Sequence, residues 1–202
     1  MVPERNQPAI FLDRDGVLTE PIFNPQTGQY ESPHALADLA LCPDVFEPLR
    51  ALLRVGFALF VVSNQPSHAK GKASLGNLQA IARAVEERFR AEGILFTETY
   101  YCYHHPAGIV PEYSGACVCR KPAPYFLFLA QAKYDLDLAL SWMVGDRDTD
   151  IVCGQRAGCR TIQVAHPHVG DHVGRVAPDY IAADLAGAVE RILVVTSQEK
   201  GR

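Results

Sequence analysis

The chain has 202 residues, 48% of them hydrophobic and 21% charged, which is enough for one domain with a substantial core. Its formal net charge of -4 offers no basic excess and argues against a nucleic-acid partner, because such binding rests on Lys and Arg clustered against phosphates. The N-terminal segment carries charge and two prolines before a short apolar run, too short for a signal peptide or membrane span, so a cytoplasmic protein without a membrane partner is expected.

In chain order, the first strand is predicted over residues 9–12, the run Ala9-Ile10-Phe11-Leu12, which leads directly into Asp13-Arg14-Asp15-Gly16. In extended chain, residues two apart share a face, so Asp13 and Asp15 are expected to point together and Arg14 away, with Gly16 allowing a sharp turn. Taken alone, this is as readily an ordinary Asp-rich turn. Residues 20–34 read as a polar, turn-rich loop, and a helix is predicted over 43–55. The strand predicted over 57–62 ends in Ser63-Asn64-Gln65, whose hydroxyl and amide donors suit a phosphate oxygen but are also common turn chemistry. The clearest helix is Leu75–Ala91, with Leu75, Leu78, Ile81, Val85 and Phe89 on one stripe and Gly93 to stop it.

A strand over 99–103 gives way to an aperiodic segment, 102–124, long enough in a compact domain to imply a function or a pin. It contains Cys102-Tyr103-His104-His105-Pro106 and Cys117-Val118-Cys119-Arg120-Lys121-Pro122. A Cys-x-His pair and a Cys-x-Cys pair suit one closed, structural Zn2+ held by Cys102, His104, Cys117 and Cys119, with His105 as the alternative histidine. The remaining cysteines, Cys42, Cys153 and Cys159, read as small buried fillers. Arg120 and Lys121, on their own a solvated basic pair, would be fixed by zinc at 102–119.

A helix over 125–134 precedes a strand over 141–144 that ends in Gly145-Asp146-Arg147-Asp148-Thr149-Asp150, where some of the carboxylates cap the helix predicted over 148–157. A strand over 161–165 and a helix over 184–194 complete the pattern. Alternating strands and helices imply an α/β fold with a mostly parallel sheet covered on both faces and a ligand site beyond the carboxyl ends of the strands.

Four strand-end signals in this order resemble the haloacid dehalogenase superfamily of phosphatases. Its four motifs are matched by Asp13-Arg14-Asp15-Gly16, Ser63, Lys121, and Gly145-Asp146 with Asp150. The resemblance covers about residues 10–164 and implies a single Rossmann-like three-layer domain, here without room for a large cap. It also implies a phosphoric monoester hydrolase in which Asp13 attacks phosphorus and forms an aspartyl-phosphate. Asp15 would protonate the leaving oxygen and then activate water, while Ser63 and Lys121 hold phosphoryl oxygens. Asp13, the backbone carbonyl of Asp15, and Asp146 would bind Mg2+. The chemistry is consistent with those roles, since a carboxylate attacking a dianion needs a hard cation and a nearby Lys to offset like-charge repulsion. An acid role also asks that Asp15 be partly protonated, which a neighbouring carboxylate would favour.

The zinc loop narrows the resemblance to the histidinol-phosphate and heptose-bisphosphate phosphatase subfamily. That likeness implies a small phosphorylated sugar as substrate, in surface-polysaccharide precursor synthesis; a monomer is expected. Asn64, Lys70, Arg120 and Arg147 would bind substrate. Three cations there suit a second phosphate better than the amine of histidinol phosphate, the alternative substrate. Val17, Ser63 and the stretch Pro66-Ser67-His68-Ala69-Lys70-Gly71 depart from the usual residues of the subfamily. The non-enzymatic alternative is a zinc-stabilised binding module that has lost activity, against which the intact Asp13, Asp15, Lys121 and Asp146 stand.

Overall fold

In a computed structural model that describes residues 6–165 and 174–200, the first apolar run is strand β1 (Gln7–Leu12). Its residues Ala9 to Leu12 are fully buried. Such a run, apolar on both faces, belongs in the middle of a parallel sheet, and β1 is flanked by β4 (Ala58–Asn64) and β6 (Leu136–Gly145). The six strands lie in the order β5-β4-β1-β6-β7-β8, all parallel, with β5 (Glu98–Cys102), β7 (Arg160–Val164) and β8 (Tyr180–Ala182) outside the central three.

Alternation along the strands sorts the core into two layers. Ile10, Leu12, Leu59, Val61 and Val144 face a cluster shared with α1 (Phe46–Arg54), α2 (Leu75–Ala91) and α5 (Leu185–Lys200). Phe11, Phe60, Val62 and Met143 face the opposite cluster with α3 (Tyr125–Tyr134) and α4 (Asp148–Ala157). This is the three-layer α/β architecture expected. The stripe on α2 is buried at Leu78, Ile81, Val85 and Phe89, and Ser74 caps the helix by accepting from Asn77 N at 3.1 Å.

The structure departs from the expected elements in four places. The loop after β1 folds into a hairpin of β2 (Ile22–Asn24) and β3 (Gln29–Glu31), where Phe23 packs on Tyr30 at 5.3 Å. β6 begins at Leu136, five residues earlier than position 141, with a register shift against β1 between Pro8 and Ile10. There Ser141 Oγ accepts from Ala9 N and donates to the Asp137 carbonyl, so side-chain bonds stand in for the interrupted ladder. β8 adds an edge strand too short to show a period, and α5 continues to Lys200. Cys153 and Cys159 are buried as expected, whereas Cys42 is only half-buried. Among the described residues no helix is long and apolar enough to cross a membrane. Residues 1–5, part of the N-terminal segment expected to hold no signal sequence, lie outside the described residues.

Candidate active site

Because β1 pairs with both β4 and β6, the residues that leave these three strands emerge together. Leu12 is in register with Val61 on one side and Val144 on the other, and Asp13 N donates to Val144 O at 2.9 Å. Asp13, Ser63 and Asp146 are thus delivered to one edge of the sheet, 7%, 2% and 4% exposed. Lys121 comes from the long segment before α3. Lys121 is 3% exposed, and its ammonium lies 2.9 Å from Asp13 Oδ1 and 2.6 Å from Asp150 Oδ1 and donates to Val62 O at 2.6 Å. Burial opposes that charge, but Asp13 and Asp150 hold the ammonium above the ordinary Lys range.

Two glycines permit this crowding. A Cβ on Gly145 would meet Asp150 Cβ at 2.3 Å, and one on Gly16, at φ +84°, would meet Asp146 Oδ2 at 2.5 Å.

Asp13, Asp146 and Asp150 each bring a carboxylate oxygen to within 4.8 Å of the others. Asp146 Oδ1 is buried with no hydrogen-bond partner among the described residues. Burial, then Asp13 and Asp150, raise the Asp146 carboxyl well above its usual range. Burial also pushes Asp150 up to about 6, against the pull of Lys121. Acidic oxygens under this strain, one of them orphaned, fit a hard divalent cation bound through oxygen. A carboxyl with a higher pKa in the folded than in the unfolded state binds extra protons when folded, so stability falls as pH rises between the two values. The unfolding midpoint of chelator-treated protein should therefore drop as pH rises from about 4 through 6. Added magnesium should raise that midpoint more at pH 7.5 than at pH 5, and equal response at both would refute this electrostatic picture.

Asp15 behaves differently from the expectation. The backbone leaves the extended state at Arg14, whose carbonyl accepts from Leu18 and Thr19 N at 2.8 and 2.9 Å. Arg14 does not point away from Asp15. Its fully buried guanidinium bonds the Asp15 carboxylate through Nε at 2.9 Å and Nη2 at 3.1 Å. Thr19, Ser32 and Gln65 donate to the same carboxylate at 2.8, 2.7 and 2.7 Å. Burial would raise the pKa of Asp15, but Arg14 and the hydrogen bonds from Ser32 and Gln65 outweigh it and bring the pKa to about 2. Asp15 is an ionised carboxylate here, not the partly protonated acid expected.

A cavity of about 510 Å³ opens over this cluster. Asp13, Asp15, Asn64, Lys121 and Asp150 line it, together with the expected cations Lys70, Arg120 and Arg147. Ser63 and Asp146 are not among its lining residues, and Ser63 Oγ accepts from Gln65 Nε2 at 3.0 Å. Burial lowers the pKa of Lys70 and of Arg120, and Arg147 lowers both further. No ion pair among the described residues engages either.

Residues 20–34 were expected to shape the substrate site, but sequence reasoning did not single out Glu31, Ser32, Lys72 or Arg175 in this wall. Glu31 and Ser32 arrive with the unpredicted hairpin, and Glu31 pairs with Lys72 at 2.5 Å. Arg175 lies beyond β7, where Asp148 accepts from Gly174 N and Arg175 N at 3.1 and 3.0 Å and brings that backbone to the cavity. The repeated cation in Lys70-Gly71-Lys72 was a usable signal, whereas nothing local marked Arg175.

Cys102, His104, Cys117 and Cys119 converge within 4.8 Å. Their sulfur separations are 3.2, 3.6 and 3.7 Å, and His104 Nδ1 lies 3.9 and 3.7 Å from Cys102 and Cys119. A tetrahedral zinc with Zn–S of about 2.3 Å needs ligand separations of roughly 3.6–3.8 Å, which this set approaches. His105 stands outside the group. Its Nδ1 accepts from Ala107 N at 3.1 Å and the residue lines the cavity. The loop also supports the stretch that carries Lys70, through Ile109 N to Ala69 O at 2.7 Å and Tyr113 edge-on to His68 at 4.9 Å.

The HAD-hydrolase-like family model matches residues 118–188. D-glycero-D-manno-heptose-1,7-bisphosphate 7-phosphatase of Thermosynechococcus vestitus is 38% identical over 196 residues, 92% of this chain and 95% of that protein. A Mesorhizobium loti structure described as a HAD-like phosphatase has a TM-score of 0.76 at 28% identity, over 95% of this chain and 90% of its own. The fold is also that of D,D-heptose 1,7-bisphosphate phosphatase from B. bronchiseptica, complexed with magnesium and phosphate. That chain gives a TM-score of 0.75 at 24% identity, over 93% of this chain and 99% of its own. With the Thermosynechococcus and Mesorhizobium likenesses spanning nearly the whole chain and the family model covering residues 118–188, the protein belongs to the HAD-like hydrolase family and is a phosphatase.

Proposed function

We propose that this phosphatase removes the 7-phosphate from D-glycero-D-manno-heptose 1,7-bisphosphate, with Asp13 as nucleophile. The observation that carries the substrate reading is one cavity whose lining joins the cluster of Asp13, Asp150 and Lys121 to further cations, Lys70, Arg120, Arg147 and Arg175. After burial, Arg120 and Arg147 lower the pKa of Lys70, and Arg147 lowers that of Arg120, as expected of cations gathered for an anion that is not part of the chain. The names of the relatives support the same substrate.

In the first step Asp13 attacks phosphorus, the bond from phosphorus to the sugar oxygen breaks, and a proton from Asp15 neutralises that oxygen. Asp15 must first gain this proton, since the cradle of Arg14, Ser32 and Gln65 keeps it ionised in the free site. In the second step the Asp15 carboxylate takes a proton from water, the water oxygen attacks phosphorus, and the bond to Asp13 breaks. Lys121 holds a phosphoryl oxygen throughout; Ser63, for which the same role was expected, lies outside the cavity lining with its Oγ bonded to Gln65 Nε2. Asp13, the Asp15 carbonyl and Asp146 would hold magnesium, which supplies charge neutralisation at the phosphoryl group. Residues 20–34, now seen to include the β2–β3 hairpin, and the 102–119 loop shape the sugar site in place of a cap.

Charge-assisted contacts are worth about 1.5–3 kcal/mol each, equivalent to roughly tenfold to a hundredfold in kcat/KM when realised in the transition state. A phosphate-release screen with magnesium should rank the 1,7-bisphosphate above heptose 7-phosphate and histidinol phosphate by at least that margin. Lys70→Ala should mainly narrow the gap, and Arg120→Ala should narrow it and slow the reaction. Faster turnover of histidinol phosphate would overturn the substrate and leave the phosphatase assignment standing.

The Cys102, His104, Cys117 and Cys119 group is proposed to hold one structural zinc, which fixes Arg120 and Lys121 next to Cys119. About one zinc per chain should survive dialysis, because a four-ligand site with no open position is a closed one. Cys117→Ser should release it and raise KM more than it lowers the unfolding midpoint. Metal-free protein whose Cys102 and Cys117 alkylate freely would refute the site.

A further inference from the structure

We propose that Asn64 acts on catalysis as a positioning residue for Lys121 and not as a contact to the sugar; this rests on the reading of Lys121 as the holder of a phosphoryl oxygen. Asn64 ends β4 next to Ser63, and its donor-rich amide at the cavity wall first suggests a substrate contact. Both polar ends of that amide are turned onto Lys121 instead. Asn64 Nδ2 donates to Lys121 O at 3.0 Å, and Lys121 N donates to Asn64 Oδ1 at 3.0 Å.

Two antiparallel hydrogen bonds to one residue limit both its translation and its rotation, as a single bond would not. At the other end of Lys121, the ammonium donates to Val62 O at 2.6 Å, and Val62 lies on β4 two residues before Asn64. The end of one rigid strand therefore holds Lys121 by its backbone and by its charge. Lys121 needs this support because it arrives on a long irregular segment, 57 positions after Asn64, and has to place one ammonium between Asp13 and Asp150. Its neighbour Gln65 has a parallel set of contacts, to Arg14, Asp15 and Ser63 at 2.7, 2.7 and 3.0 Å. The two amides that follow Ser63 are thus engaged by the reacting groups themselves.

The test compares Asn64→Ala, and Asn64→Ser should the first fold poorly, on the sugar bisphosphate and on 4-nitrophenyl phosphate, which has no sugar. Misplacement by about 1 Å can cost on the order of a hundredfold, so kcat/KM should fall roughly tenfold to a hundredfold, by the same factor on both esters. Calorimetry of inorganic phosphate with magnesium then closes a double-mutant cycle with Lys121→Met. Asn64→Ala should weaken phosphate in the wild-type background and change its affinity less than about twofold once Lys121 is gone. A loss confined to the sugar substrate, no loss on either ester, or a loss undiminished in the Lys121→Met background would each overturn the proposal. Wild-type phosphate affinity in Lys121→Met alone would remove the reading of Lys121, and the proposal with it, a result distinct from failure of Asn64 alone.

Discussion

Replacing Asp13 by Asn should reduce phosphate release by at least about a thousandfold while leaving the fold intact, because removal of a nucleophile leaves only binding and electrostatic contributions. Asn matches Asp in shape, and Asp13 Oδ1 accepts from Arg14 N at 2.8 Å, a bond that the amide oxygen can keep. What disappears is the charge that faces Lys121 at 2.9 Å and one carboxylate of the cluster with Asp146 and Asp150. Lys121 keeps Asp150 at 2.6 Å, so no buried cation is stranded and the unfolding midpoint should change little. Single-turnover kinetics with radiolabelled substrate should show no labelled protein in the variant and transient label on Asp13 in the wild type. Release by Asp13→Asn at near the wild-type rate would eliminate the covalent mechanism. Label found on any other carboxylate would relocate the nucleophile.

Lys121→Met should have the second largest effect, and it should act on stability as well as rate. Met approximates the length of the Lys stem, but the three-way anchor to Asp13, Asp150 and Val62 O is lost. Two buried carboxylates would then face each other without their shared cation, and removing one partner of such a group typically costs about 3–5 kcal/mol. Part of that cost is avoided at low pH: Asp150 is already pushed up to about 6 and would take a proton more readily without Lys121. The variant should therefore be closest to wild-type stability in mild acid and fall behind as pH rises, with kcat/KM down by on the order of a hundredfold or more. Thermal unfolding across pH, beside phosphate release with magnesium, measures both. A variant equally stable at every pH and nearly as active would mean that Lys121 serves neither the carboxylates nor the phosphate.

The helix stripe on Leu78, Ile81, Val85 and Phe89 and the all-apolar β1 were legible because each expresses a period of the local chain. The hairpin and β8 were not, since three-residue strands are too short to display one. Among site residues, those in strand-end or basic motifs were found, whereas Glu31, on the three-residue strand β3, and Arg175, beyond β7, were not singled out.

By itself the sequence determined the alternation of strands and helices, the acidic and basic residues at the strand ends, and the two paired Cys/His spacings, all of which depend on neighbours within a few positions. Tertiary structure alone decided how those groups are used. Arg14 doubles back on Asp15 because the chain turns at the Arg14 carbonyl. Asn64 meets a partner 57 positions away and Gln65 one 50 positions away. His104 and not His105 joins the cysteines, as the turn to Ala107 aims the second ring elsewhere. Contacts across such separations depend on which strands pair and where loops return, and buried donors and acceptors then take whichever partners that packing brings within reach.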